Sequence, residues 1–259
     1  MSSIVIAGDT SGTVILQAPA VAGSTTVNLP ASSMNMGNGG GSVSSNTAFG
    51  ASALGANTTG IQNTAIGNSA LYSNTIGQGN VAVGTSALQS NTTGNNNTAI
   101  GLNSLYWNTT GLYNTAVGTA ASQNNTTGNQ NTAIGYYALF TNTTGQQSTA
   151  VGYQALLSNT TGNGNDAFGS LALQANTTGQ GNCAIGNATL YANTTGVANV
   201  AVGGGWWGSV NPAMRFNTIG SYNVAMGTGA LSTNTTGDSN VAVGYQALQS
   251  NVTGYQNVA

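Results

Sequence analysis

From Asn46 onward the sequence returns to itself every 17 residues. An Asn recurs at 46, 63, 80, 97, 114 and 131, gives way to Ser148, and resumes at 165, 182, 199, 223, 240 and 257. With that residue as position 1, position 3 is Ala in all 13 copies, and positions 5 and 15 are Gly in all 12 complete ones. Position 4 is always Ile, Val, Phe or Met, position 9 is usually Leu, and position 12 is Asn from Asn57 to Asn251. One step, Asn199 to Asn223, is 24 residues long, an excess of seven. Self-similarity at a fixed period decides the architecture before any local structure is considered.

Two Gly per unit and β-branched Thr beside Asn make a poor helix, and no 3.6-residue apolar stripe is present. Two strand-like pieces stand out, positions 2–4 and roughly 7–10. Each is closed by a Gly-containing corner. In the Asn-Thr-Thr-Gly corner the Asn side chain can bond its own backbone and the Gly accepts positive φ. A meander of hairpins would reverse the direction of corresponding residues in successive units. Identical units instead favour one solenoid turn each, every residue stacked about 4.8 Å above its counterpart. Asn carboxamides can then bond one another along the axis. The expected fold is all-β: a parallel β-solenoid (β-roll) of 17-residue coils over 46–259, roughly 60 Å long. Ala259 falls at position 3 of a rung, so the rod is expected to continue beyond it.

A single rung does not stand alone. Ordering 17 residues costs on the order of 25 kcal/mol, and one Ile or Val with one Leu returns about 3–6 kcal/mol. Neighbouring rungs must supply much of the rest. Side chains alternate along a strand, yet positions 3 and 4 are both apolar, and so usually are 8 and 9. Two packed sheets need large fillers. Ile66, Ile134, Leu71, Leu139 and their equivalents are therefore expected inside, with the Ala ladder from Ala65 to Ala242 outside. A long uncharged strip of small residues invites a second copy of the chain.

Residues 1–33 do not share the repeat and read as an N-terminal β segment, a hairpin, cap or attachment piece. Ile4–Ala7 and Thr13–Leu16 are β-branched runs flanking Gly8-Asp9-Thr10-Ser11-Gly12, and Thr25–Leu29 is a third run ended by Pro30. Residues 34–45 are a Gly/Ser-rich junction. The insertion, residues 204–216, is expected to leave the rod while the rungs on either side keep register. It carries Trp206, Trp207 and Arg215, the only Arg. Aromatic faces and a guanidinium suit sugar recognition, so these three are a candidate glycan contact. The competing reading is that the Trp rings pack against the rod.

Charged residues are 2% of the chain, with one Lys or Arg, three Asp or Glu and no His. One basic side chain does not supply the footprint that nucleic acid requires. General acid–base catalysis draws on His, Glu, Asp or Lys, and of these only Asp9, Asp166 and Asp238 are present. No catalytic set, metal cluster or cofactor motif is legible. No apolar run reaches the length of a membrane span. Cys183, the only cysteine, is expected to be a small residue at least half-buried at position 2. Ten position-12 corners read Asn-x-Thr, which matches the glycosylation acceptor pattern. The alternative is a turn ladder that simply uses these residues, supported by Asn74 and Asn217, which keep the corner without the Thr. Tyr72, Tyr106, Phe140 and Tyr191 recur at position 10, either as a sugar-stacking stripe or as cover for the rod.

The units Asn63-Thr64-Ala65-Ile66-Gly67 and Asn80-Val81-Ala82-Val83-Gly84 resemble the rungs of trimeric autotransporter adhesin heads. Those heads are left-handed parallel β-rolls built as homotrimers. The longer unit, with its Ala-Leu and Asn-Thr-Thr-Gly corners, is more similar to repeats of bacteriophage tail fibres. The start, Gly8 to Val14 followed by Ala18-Pro19 and Leu29-Pro30, also resembles the N-termini of such fibres. A 17-residue period is longer than the usual adhesin rung, and no export signal is visible, which favours the fibre. The resemblance implies a homotrimeric structural shaft on a virion, displaying a host-recognition element toward a host-surface glycan or protein. The alternatives are a bacterial surface adhesin or extracellular filament that stacks end to end, and an ice-binding solenoid.

Overall fold

The structure, a computed structural model, describes residues 45–205 and 211–259, together with the pairing of three two-residue strands nearer the N-terminus. Strands β1 (Ile15–Leu16) and β2 (Val27–Asn28) pair antiparallel. The run Ile4–Ala7 lies outside the described residues. Strand β3 (Met34–Asn35) pairs antiparallel with β4 (Thr47–Phe49), the strand of the first rung. Part of the expected junction therefore closes the open edge of the rod, as an end cap must.

From β4 on, each 17-residue unit contributes one three-residue strand at positions 2–4. These run from β5 (Thr64–Ile66) and β6 (Val81–Val83) through β9 (Thr132–Ile134) to β15 (Val241–Val243), all parallel and in strict chain order. Thr132 pairs with Thr149, Ala133 with Ala150 and Ile134 with Val151, and the same register holds at every step. The rod is an all-β solenoid with one coil per unit, as the period requires. Among the described residues no helix is long and apolar enough to cross a membrane.

Positions 7–10 are not a second strand. Ala53 N–H donates to Gly50 C=O, Gly55 N–H to Ser52 C=O, and Asn57 N–H to Leu54 C=O. This is a chain of overlapping turns. The third residues of the first two, Ser52 (φ 60) and Leu54 (φ 52), have positive φ, the signature of type II turns. Leu71 (φ 51) and Leu139 (φ 53) repeat it. A non-glycine residue in that region carries a cost of about 1–2 kcal/mol. Inter-rung bonds such as Leu71 N–H to Ala87 C=O, 3.0 Å, compensate it in each coil that has another above it.

The turn decides what lies inside. Because positions 8 and 9 are not on a strand, both can face inward, and Ala70, Leu71, Ala138 and Leu139 are fully buried. Positions 2–4 are a strand and must alternate. Here the expected orientation is reversed: Ala65 and Ala133 are fully buried, whereas Ile66 and Ile134 are 39% and 40% exposed. The reason is width. A coil with one sheet and a turn for its opposite wall is narrower than a two-sheet sandwich. One Leu crosses it, and only a methyl group fits on the facing strand.

Two columns of buried Asn fill the rest. Each position-1 side chain accepts from the backbone of the next, Asn80 N–H to Asn63 Oδ1 at 3.0 Å and Asn97 N–H to Asn80 Oδ1 at 3.0 Å. Each position-12 carboxamide donates to the one before, Asn142 Nδ2 to Asn125 Oδ1 at 2.8 Å. Both columns also donate to one carbonyl: Asn131 and Asn142 both give Nδ2–H to Gly145 O, at 2.8 and 3.0 Å. Gly145 cannot be larger, since a Cβ there would lie 2.6 Å from Gly162 O and closer still to Asn142 Oδ1.

Candidate functional site

The insertion opens inside the turn that normally spans positions 5 to 8. Ala213 N–H donates to Gly203 C=O at 2.8 Å, the same closing bond that Ala53 makes to Gly50 in an ordinary rung. The seven extra residues thus lie between Gly205 and Ala213, and residues 213–216 belong to the rod. This corrects the expected boundary of 204–216. Ala213 and Met214 are fully buried as the Ala-Leu pair of that rung. The neighbouring rungs keep register, with Val200 opposite Val224 and Ala201 opposite Ala225. Gly204 and Gly205 still lie on the rod, where Thr228 Oγ donates to Gly204 O at 3.0 Å.

Of the three candidate glycan-contact residues, the structure places Arg215. Trp206 and Trp207 lie outside the described residues. Arg215 occupies position 10, half-buried. Its Nη1 donates to Asn211 Oδ1 at 3.0 Å, and its guanidinium carbon stands 5.2 Å from the Phe216 ring centre. The guanidinium therefore leans across the exit of the loop, over an aromatic ring.

The position-10 aromatics line one turn edge. Tyr72 is exposed, while Tyr106, Phe140 and Tyr191 are half-buried. Tyr106 meets Trp107 edge-on at 4.7 Å, and Phe140 meets Tyr137 at 4.6 Å. Both rings are engaged by neighbours on the rod. A second aromatic feature was not anticipated: Tyr136 and Tyr153, both at position 6, stack at 5.7 Å with 6° between their planes. Their shared repeat position in adjacent rungs was the available signal.

The ten Asn-x-Thr corners are structural. Nine of the ten Asn are buried and Asn251 is partly so. In each, as at Asn91 and Asn251, Nδ2 donates to the Gly carbonyl three residues on. A glycan on that nitrogen is incompatible with the folded coil. The Thr directly after the Asn is used as well: Thr92 Oγ donates to Thr109 O at 3.0 Å, and Thr109 Oγ to Thr126 O at 3.1 Å.

Cys183 is half-buried at position 2, on the outward side of the strand face, with Asp166 its neighbour one rung below. Desolvation raises its thiol pKa, and the Asp166 charge adds to the rise. Asp238 Oδ1 accepts from Ser221 N–H at 2.7 Å. Among the described residues no group of three His, Cys, Asp or Glu side chains could hold a metal ion. Comparisons with protein-family models, curated proteins and solved structures gave no match to this chain.

Proposed function

We propose that this chain is the structural shaft of a phage tail fibre, a homotrimeric rod on a virion that holds a host-recognition element away from the particle. The observation that carries the reading is how the polar groups are used. The buried carboxamides of positions 1 and 12 and the hydroxyls of position 13 bond to the next or preceding rung or to their own coil. Such an interior makes a stiff object whose length is set by the number of repeats. The number three, the virion location and the host-surface partner rest on the resemblance of the repeat to fibre and adhesin rungs. Trp206 and Trp207, which the insertion carries in sequence, remain with Arg215 the candidate glycan contact on the shaft.

The test is the genetic neighbourhood of the reading frame together with its product in purified particles. Adjacent tail genes, and detection of the chain in virions, are expected. A neighbouring export or outer-membrane anchor gene would overturn the reading in favour of a cell-surface adhesin or filament.

A second reading gains one observation. Thr64, Thr98, Thr115, Thr132 and Thr149 stand on the flat strand face rather than in corners, as an ice-binding face requires. Absence of thermal hysteresis in a solution of the purified rod would remove it.

A further inference from the structure

We propose that the position-4 ladder on the strand face is the seam along which copies of this chain pack. The inference deepens the oligomeric shaft proposed above by naming its interface.

Position 4 points outward in every coil yet takes only Phe, Ile, Val or Met in 12 consecutive rungs. Other outward positions are not restricted in this way. Position 6 holds Asn68, Thr85, Leu102, Tyr136 and Ser170, and position 16 holds Gln78, Leu112, Asn163, Val197 and Asp238. Strand propensity does not explain the difference. Position 2 lies on the same strand and the same outward side, and it accepts Asp166 and Cys183. A position that faces away from the core and still excludes polar residues is answering to something outside the coil.

The strip is large enough for a second copy. Twelve rungs at about 4.8 Å give a length near 58 Å, and the outward side chains from position 2 to position 6 span about 13 Å. That is on the order of 700 Å² per copy, or about 1,400 Å² for a pair, within the range of a stable specific interface. The strip is uncharged except at Asp166, which lies at its margin rather than on the position-4 column. A copy of the same chain presents the same flat, evenly spaced surface with the same apolar position-4 column, so it matches this one rung for rung. The pattern also differs from the expectation that the Ala ladder forms the contact: Ala is inside, and the large apolar residues of position 4 meet the partner.

The experiment is sedimentation velocity on the whole chain at micromolar concentration. The unchanged protein is expected to run at an integral multiple of 25.5 kDa. The double variant Ile100→Glu/Ile134→Glu is expected to weaken association roughly 100-fold or more, because it places carboxylates in the seam, and to run at the single-chain mass. Its far-UV circular dichroism should be unchanged, since both side chains project away from the coil. Ile100→Thr/Ile134→Thr keeps β-branching and is expected to weaken association less. Gln78→Glu/Gln146→Glu, on another exposed edge, is expected to leave the mass as it was. An Ile100→Glu/Ile134→Glu rod that keeps the full oligomeric mass would overturn the seam while leaving an oligomeric shaft standing. A single-chain mass for the unchanged protein would overturn the seam as well, and inhibition of ice growth that depends on Ile100 and Ile134 would then assign the face to ice.

Discussion

Ser122 is the point at which the core can be improved by one substitution. It occupies position 9, between Leu105 one rung below and Leu139 one rung above, both fully buried. Its Oγ is buried and has no hydrogen-bond partner. Ser122→Leu puts a carbon in place of the hydroxyl oxygen and adds two more to a buried apolar column, about 0.8 kcal/mol for each of those two, and removes a buried hydroxyl whose desolvation costs about 1–3 kcal/mol. The backbone does not oppose it: φ is 51° at Ser122, against 48° at Leu105 and 53° at Leu139. The expected gain is therefore about 3 kcal/mol. A repeat protein is stabilised locally, so the assay pairs guanidinium unfolding with amide hydrogen exchange. Slower exchange is expected at Ser122, whose N–H donates to Ala138 O, and at Leu105, whose N–H donates to Ala121 O. Rungs five or more away should show little change. A neutral or destabilising result would refute the claim that position 9 is a continuous Leu column spanning the core.

Two further substitutions and one reactivity measurement probe separate parts of the rod. Gly145→Ala should destabilise the rod by about 3 kcal/mol or more in chemical denaturation, because the methyl group meets the Gly162 carbonyl oxygen and the Asn142 Oδ1, which hydrogen bonds to its neighbours hold in place. Asn142→Asp replaces a donor to Asn125 Oδ1 and Gly145 O with a carboxylate facing both oxygens. The loss should be about 3–5 kcal/mol at neutral pH. The buried carboxyl would have a raised pKa, so the stability that protonation restores is present below the unfolded value, roughly pH 4, and lost as pH rises through the folded one. An acid-side gain in melting temperature, absent in the parent, is the readout. For Cys183, burial raises the thiol pKa, so its reaction with a thiol reagent near pH 8.5 should be slower than that of the unfolded chain. By the same linkage, its contribution to stability is present below that pH and declines as pH rises through the raised value.

Much of this fold was legible because a fixed period leaves little freedom. The unbroken spacing of Asn63, Asn80 and Asn97 set the coil length, the parallel register and the axial Asn column. Orientation was harder. Ile66 was expected inside because large residues usually fill a core, but that reasoning assumed two packed sheets. The opposite wall is a turn, and its signature was hidden, since Leu71 and Leu139 adopt a positive φ that a sequence assigns to Gly or Asn. Once positions 8 and 9 both face inward, Leu occupies the width and Ala65 must sit opposite. The insertion boundary was misplaced for a related reason. Ala213-Met214 is the Ala-Leu pair of its rung with Met in place of Leu, a volume-conserving exchange. The candidate site was less legible than the fold. Arg215 was singled out for its charge, and the structure adds its contacts with Asn211 and Phe216, which no periodicity encodes.

The solenoid makes one coil per 17 residues and stacks its coils at the strand spacing. Pulsed electron–electron distance measurement tests it most directly. Spin labels would be placed at exposed position-16 sites in a Cys183→Ser background, as the pairs Gln78→Cys/Gln146→Cys and Gln78→Cys/Gln180→Cys, diluted with unlabelled chain. The pairs are four and six rungs apart, so separations near 19 and 29 Å are expected, in proportion to rung number at about 4.8 Å each. Two separations that do not scale with rung number, or a longer sequence interval giving the shorter distance, would contradict the solenoid.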